Sequence, residues 1–334
     1  MNIIIPMAGM GKRMRPHTLT TPKPLLPIAG KPIVQRLVED IAKVCPEKIT
    51  TIGFIIGPSF GKEVEANLKN IAQEVGAEGR IYYQEEALGT AHAILCAKEL
   101  LNGKIVVAFA DTLFKADFKL DTSKDGIIWV QEVENPAAFG VVKLNEQNEI
   151  TDFVEKPETF VSNLAIIGIY YFSDGAYLNR EMQYLLDNDI KDKGEYQLTN
   201  ALENMKNKGT KFVPGQVTEW LDCGNKNATV FTNQRYLEYI KDQNLKSAKA
   251  KIINSVIIEP VFLADDVLLE NAVVGPHVSV GKKTKITDAR ISNSIIGEAT
   301  QLSKVVIENS MLGNNVSFNG QSLDLSLGDY NTLA

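Results

Sequence analysis

"NIIIPMAGMGKRMRP", residues 2–16, opens with three consecutive isoleucines and passes within a few residues into a glycine turn crowded with cations. The apolar run reads as a buried strand. Gly9 and Gly11 let the backbone turn its N–H groups toward an anion with no Cβ in the way. Lys12, Arg13 and Arg15 supply positive charge beside that turn. Two well-known glycine loops are excluded by named residues. A dinucleotide fingerprint needs glycine at its first, third and sixth positions, and the sixth position here is Met14. A Walker loop needs glycine where Pro6 stands and a hydroxyl where Arg13 stands. The stretch still has the chemistry of a phosphate cradle. The forked guanidinium of Arg13 suits phosphoryl oxygens, and Lys23 sits between two prolines, a stiff mount for a cation.

Working outward, short apolar runs alternate with stretches of helical period up to about residue 245. Strands are predicted at 2–8, 49–57, 80–84 and 104–111, and helices at 32–45, 61–76 and 90–101. This alternation predicts an α/β, Rossmann-like, mostly parallel and doubly wound sheet over 1–245. Ligands of such sheets bind outside the carboxyl ends of the strands, so the functional loops should follow residues 7, 84 and 110.

Past about residue 250 the pattern changes. Leu263, Leu269, Val274, Val280, Ile286, Ile291, Ile296, Leu302, Ile307, Leu312 and Phe318 recur at steps of five or six. Every third one makes a column, Leu263, Val280, Ile296 and Leu312, and glycine follows three of these four, at Gly281, Gly297 and Gly313. Three steps to a coil describe a parallel β-helix whose corners each bury one apolar side chain. The run resembles the left-handed β-helix of hexapeptide repeats and assigns 246–334 to a second, short domain of three to four coils. Helix 225–244 is the natural junction.

Composition narrows the class. A net charge of −6 with no Lys/Arg-rich block speaks against nucleic acid as a partner. The apolar runs are too short to span a bilayer. Cys45, Cys96 and Cys223 lie far apart without metal or disulfide spacing, so a reducing, cytoplasmic setting fits.

"GMGKRMRPHTLTTPKPLLPIAGKPI" (9–33) resembles the signature of the sugar-1-phosphate nucleotidylyltransferases, the NDP-sugar pyrophosphorylases, G-x-G-T-R-L-x-P-x-T followed by P-K-P. Within that family the likeness is to the glucose-1-phosphate thymidylyl- and uridylyltransferase type. Lys12 replaces the usual Thr and Met14 the usual Leu. Met14 is a conservative apolar exchange, whereas Lys12 adds a cation where a triphosphate would lie.

The resemblance implies a site. Arg13 and Lys23 become catalytic cations, and Ala8, Gly9, Gly11 and Lys12 the triphosphate loop. "YQEEALGTAHAI" (83–94) resembles the base-reading segment, with Gln84 offering an amide to a pyrimidine edge, Gly89 a bare backbone, and Thr90 completing the loop. Asp111, past the strand "VAFA", and Asp222, in "EWLDCGN" (219–225), match the family's Mg²⁺ ligands. Mg²⁺ is content with one or two carboxylates plus phosphate oxygens. Gly140, Glu155, Lys156, Asn163 and Glu195 match the sugar-binding half, with Lys156 gripping the sugar phosphate as a third catalytic cation. Asn200 stands where the family often has Asp. None of the three histidines, His17, His92 and His277, is given a role.

The implied reaction joins a nucleoside triphosphate, dTTP or UTP, to a hexose-1-phosphate such as glucose-1-phosphate, giving an NDP-sugar and pyrophosphate. Two polyanions must meet, so neutralisation and alignment outweigh proton transfer. A sugar phosphate is already ionised near pH 7, and no general base is required. A second reading is a non-catalytic scaffold or regulatory subunit of the same fold, which would be expected to have lost a phosphate cation or an aspartate. A third, an acyltransferase in the β-helix, would need a longer solenoid and a positioned histidine. The β-helix is better read as an assembly or regulatory module through which the chain forms a homo-oligomer.

Overall fold

The computed structural model describes residues 1–9 and 11–321. Met10 and residues 322–334 lie outside the described residues, and with them the end of the predicted C-terminal domain. Internal contacts divide the chain into two compact units. The first is Met1–Leu26 with Lys31–Gly224, and the second is Pro27–Gly30 with the chain from Asn225 onward. The sequence pattern changes near 245, whereas the contacts divide at Gly224. Asn225 caps helix Lys226–Tyr239 by accepting from Ala228 N at 3.0 Å, and the contacts assign that helix to the second unit.

The first unit is a nine-stranded sheet with helices. Its parallel centre consists of β1 (Asn2–Pro6), β2 (Thr51–Ile56), β3 (Glu78–Tyr83) and β4 (Ile105–Ala108), in the spatial order β4-β1-β2-β3. Every residue of β2 and β4 is buried, as is β1 after Asn2. Continuous apolar runs such as IIIP and IVVA belong to strands covered on both faces. β3, at the edge, alternates exposed and half-buried residues. Helix α1 (Ile33–Val44) buries Ile33, Val34, Leu37, Val38, Ile41 and Val44, the 3.6-residue stripe expected of an amphipathic helix. Helix α2 is Lys62–Glu74, and α3 is the short Thr90–Leu95 rather than the predicted 90–101. It is shorter because Cys96 N bonds back to Ala93 O, and Lys98–Leu100 tightens into a 3₁₀ turn.

Beyond β4 the chain forms β5 (Thr112–Lys115), β6 (Gly126–Glu132), β7 (Gly140–Leu144), β8 (Ile150–Glu155) and β9 (Leu164–Phe172). β9 runs antiparallel to β4, β6 and β7, so the sheet is parallel at its centre and mixed on one side. Helices α4 (Gly175–Asp187) and α5 (Leu198–Asn207) and strand β10 (Phe212–Gln216), parallel to β6, follow. The final strand, β11 (Glu219–Asp222), pairs antiparallel with β5 and sets Asp222 opposite Thr112.

The second unit winds as a three-faced parallel β-helix. Its faces stack Lys251–Ile253, Leu268–Glu270, Lys285–Thr287, Gln301–Ser303 and Ser317–Asn319; Val256–Ile257, Val273–Val274, Arg290–Ser292 and Val306–Glu308; and Val261–Leu263, Val278–Val280, Ser294–Ile296 and Met311–Leu312. The arrangement fits the left-handed hexapeptide β-helix. Leu263, Val280, Ile296 and Leu312 are direct register partners, as the column in the sequence requires. The recurrent residues from Leu263 to Ile307 are all buried, while Phe318 is exposed. The turns hold residues at positive φ in matching registers, among them Asn254, Asn271, Asp288 and Lys304. Asn and Asp tolerate that conformation, and Asn254 Nδ2 donates to Asn271 Oδ1 at 2.7 Å. The glycines after Val280 and Ile296 have their own cause, a close approach of the next coil. A Cβ on Gly297 would stand 2.4 Å from the carbonyl carbon of Gly313 in the next coil. Thr284 and Thr300, fully buried, donate across the same seam to Gly297 O at 2.8 Å and Gly313 O at 2.9 Å. No helix among the described residues is long and apolar enough to cross a membrane.

Candidate active site

A cleft of about 420 Å³ opens in the first unit at the carboxyl ends of β1, β3 and β4. The loops after residues 7, 84 and 110 all line it, as the topology of an open parallel sheet requires. Its lining brings together Ala8, Gly9, Gly11, Lys12, Arg13, Lys23, Gln84, Gly89, Thr90, Asp111 and Glu195.

The first loop leaves β1 and tightens into a 3₁₀ turn, Lys12–Met14, entered from Gly11 at φ +57°. Met14 is buried and anchors the turn, while Lys12 and Arg13 stay exposed on the cleft. Gly11 is needed for more than its φ. A Cβ there would come within 2.9 Å of Lys23 Cβ and 3.2 Å of Thr18 Cγ2. Thr18 Oγ1 donates to Gly11 O at 2.8 Å. Gly9 has open space around its Cα, with nothing within 4 Å of where a Cβ would be. Lys23 opens a second 3₁₀ turn between Pro22 and Pro24. Its side chain is 9% exposed and its Nζ donates to Asp111 Oδ2 at 3.1 Å.

Asp111 follows β4 and precedes β5, and Asp222 ends β11, the partner of β5. Cys223 N donates to Asp111 O at 3.1 Å and clamps the two carboxylate-bearing ends together. Asp222 Oδ1 accepts from Gly224 N at 2.9 Å. Burial, and then the negative charge of Asp111, pushes the Asp222 carboxyl above its ordinary range, while Lys23, the Gly224 N–H and Arg13 pull it back. Asp222 itself is not part of the cleft lining, though Gly224 is. Two carboxylates that repel one another across a partly buried site fit a divalent cation. Among the described residues no group of three or more His, Cys, Asp or Glu side chains gathers to hold a metal. A site completed by phosphate oxygens would need only two.

In the second loop Gln84 N donates to Ile56 O at 3.0 Å, extending the β2–β3 pairing. Gly89 sits at φ +121°, and a Cβ there would lie 2.4 Å from Tyr196 O and 2.6 Å from Tyr196 N. Its bare backbone is therefore demanded by the protein's own chain at Tyr196, a reason not legible in the loop. Thr90 touches the cleft, but its hydroxyl is already committed. It accepts from Leu198 N at 2.8 Å and donates to Gln197 Oε1 at 3.0 Å. Gln197 Nε2 in turn donates to Glu195 Oε2 at 2.9 Å. This chain of contacts ties the predicted base-reading loop to the predicted sugar-binding stretch.

Gly140, Glu155, Lys156 and Asn163 are not in the cleft lining. Gly140 and Glu155 are register partners on β7 and β8, and a Cβ on Gly140 would stand 3.0 Å from Glu155 Oε2. Lys156 Nζ pairs with Glu155 Oε1 at 3.3 Å, and the Lys156 backbone is at φ +44°. Asn163 is exposed, and its carbonyl accepts from Val133 N. Asn200 lies in α5, with its backbone N bonded to Gln197 O. Two aromatics missed from sequence join these groups. Phe109 lines the cleft and packs edge-on against Tyr170, with ring centroids 6.2 Å apart. The Tyr170 hydroxyl is pushed well above its ordinary range by burial and by the charges of Glu155 and Asp111. Both carboxylates therefore act on one side chain, which links the Glu155 cluster to the cleft. Nothing in the run IGIYYF distinguishes Tyr170 from a core residue.

Comparison with known proteins decides the family. The profile of the Nucleotidyl transferase family matches residues 2–239. The chain belongs to that family. This nucleotidyltransferase is 30% identical to the low-salt glycan biosynthesis nucleotidyltransferase Agl11 of Haloferax volcanii, over 91% of this chain and 90% of that one. It is 27% identical to a glucose-1-phosphate thymidylyltransferase of Streptomyces antibioticus, over 95% and 93%. A crystal structure of UDP-glucose pyrophosphorylase complexed with UDP-glucose superimposes with a TM-score of 0.58 at 25% identity, covering 71% of this chain and 98% of that one. The group is that of sugar nucleotidyltransferases, and the chain is an enzyme of this class.

Proposed function

We propose that this nucleotidyltransferase transfers a nucleotidyl group from UTP or dTTP to a hexose-1-phosphate, glucose-1-phosphate foremost, in a Mg²⁺-dependent reaction that releases pyrophosphate. The observation that carries the proposal is the pair of buried Lys23 and half-exposed Asp111, 3.1 Å apart, in a cleft that also holds Gly9, Gly11, Arg13 and Gln84. In this reading the backbone at Ala8, Gly9 and Gly11 receives the triphosphate, and Lys12 and Arg13 draw its charge outward. Lys23, fixed between prolines, neutralises charge that grows on the departing pyrophosphate, and costs little reorganisation because it is already in place. Asp111 and Asp222 would hold Mg²⁺, which when bound supplies electrophilic charge to phosphate oxygens. Gln84 reads the base. Lys156, released from Glu155, would grip the sugar phosphate, while Gly140, Glu155, Asn163 and Glu195 receive sugar hydroxyls. The sugar phosphate is the nucleophile and arrives ionised, so alignment is the main task.

The thymidylyltransferase and the UDP-glucose pyrophosphorylase among its relatives support this choice of nucleotide and sugar. We also propose that the β-helix mediates self-association, supported by exposed apolar residues on its outer surface such as Val256, Ile258 and Val306. A pyrophosphate-release screen of the common nucleoside triphosphates against sugar-1-phosphates, with Mg²⁺ and with EDTA, tests the reaction. Turnover with UTP or dTTP and glucose-1-phosphate that EDTA abolishes is the expected result. No turnover with any pair would overturn the reading.

A further inference from the structure

The Gln84 side chain is held from within the protein. Its Nε2 lies 3.3 Å from Gly89 O and 3.2 Å from His92 Nδ1. A carbonyl oxygen can only accept, so the contact with Gly89 O puts the amide nitrogen, not the oxygen, on this side. Gly89 O is itself set by the start of α3, where it accepts from Ala93 N at 3.0 Å. With Nε2 donating toward both partners, His92 Nδ1 must be the acceptor. The imidazole is then neutral, with its proton on Nε2. The other end of the amide, Oε1, accepts nothing from the described residues, and Gln84 lines the cleft.

We propose that His92 is the positioning residue for base selection: by accepting from Gln84 Nε2 it presents Gln84 Oε1 to the ligand. This rests on the reading that Gln84 faces the nucleotide base. A fixed acceptor selects a base edge carrying an imino N–H, as uracil and thymine do at N3. It rejects cytosine, whose N3 is an acceptor and would leave two lone pairs facing each other. Without His92, one of the two bonds that orient the amide is lost. The amide can then turn to offer Nε2 to the ligand, and the preference for an imino donor relaxes.

The test compares His92→Leu, which has no acceptor, with His92→Asn, whose Oδ1 can stand in for Nδ1, and with Gln84→Leu. Each is assayed for kcat and KM with UTP, dTTP and CTP. For His92→Leu we expect KM for UTP and dTTP to rise about tenfold with kcat within about threefold, and the UTP-over-CTP preference to shrink about tenfold, an effect of the order of one hydrogen bond. His92→Asn should restore both to within about threefold of the parent. Unchanged preference in His92→Leu, while Gln84→Leu loses it, overturns the role of His92. Unchanged preference in Gln84→Leu shows instead that the base is not read at Gln84 and that the underlying reading is wrong. Should His92→Leu fail to fold, the ¹⁵N spectrum of the parent protein decides, since the chain has only three histidines to assign. An unprotonated Nδ1 at His92 supports the proposal, and a protonated Nδ1 overturns it.

Discussion

Replacing Lys23 by Met and Asp111 by Ala should affect folding and chemistry in different proportions. The two groups are 3.1 Å apart, with the lysine side chain 9% exposed and the aspartate 46% exposed. At an effective dielectric of about 20 the gross attraction is about 5 kcal/mol. Most of that is offset by the desolvation of the ammonium, and the exposure of Asp111 screens the remainder. Lys23→Met removes the buried charge and lets Asp111 rehydrate, so the fold should lose less than about 1 kcal/mol. Asp111→Ala leaves the ammonium nearly buried without its carboxylate. Full burial would cost about 3–5 kcal/mol, and water reaching the pair through Asp111 brings this to about 2–3. Both variants should lose catalysis. A positioned donor at developing charge contributes roughly 3–4 kcal/mol, so Lys23→Met should turn over about 10²–10³-fold more slowly. Pyrophosphate release measures the rate, and chemical denaturation measures the stability. Turnover of Lys23→Met within tenfold of the parent, or a Lys23→Met protein less stable than Asp111→Ala, would refute the reasoning.

Asp222→Asn should melt above the parent when no metal is present, because burial and the charge of Asp111 disfavour the ionised carboxylate, yet it should lose nucleotidyl transfer; a lower melting temperature would contradict this. Gly89→Ala drives a Cβ into the Tyr196 backbone at 2.4 Å and should destabilise the first unit by about 1–3 kcal/mol, with a raised KM for nucleotide; a neutral outcome in both would count against the close approach. In the second unit, Ile286→Ala deletes a fully buried side chain and should cost about 2–5 kcal/mol by denaturant titration. Glu238, hydrogen-bonded to His277 at 2.6 Å, has a carboxyl held below its ordinary range chiefly by that contact. Its contribution is present above the ordinary glutamate value and fades as pH falls through the lowered one. The parent should therefore melt above Glu238→Gln near pH 6 and converge with it in acid, and a gap independent of pH would exclude the contact as its source.

Where the cleft-lining loops lie was legible from the sequence, because a period-2 or unbroken apolar run, a helical stripe and a glycine turn each have a local physical cause. IIIP and IVVA read as buried strands, and the loops after them line the cleft. The β-helix was legible for the same reason, since its repeat is written once per face and Gly297 marks a coil-to-coil approach that admits no Cβ. What local pattern could not encode was every relation set by distant backbone. Nothing in "ALGTAH" says that Gly89 faces Tyr196, that Thr90 has given its hydroxyl to Leu198 and Gln197, or that His92 accepts from Gln84. Those roles arise because hydrogen-bonding groups must be satisfied wherever the fold buries them, and the partners of Gly89 and Thr90 lie about a hundred residues away in chain number, at 196–198. The division of the chain is of the same kind. A change of repeat near 245 is a property of the sequence, but the assignment of helix Lys226–Tyr239 and of Pro27–Gly30 to the second unit comes from packing contacts that only the folded chain contains.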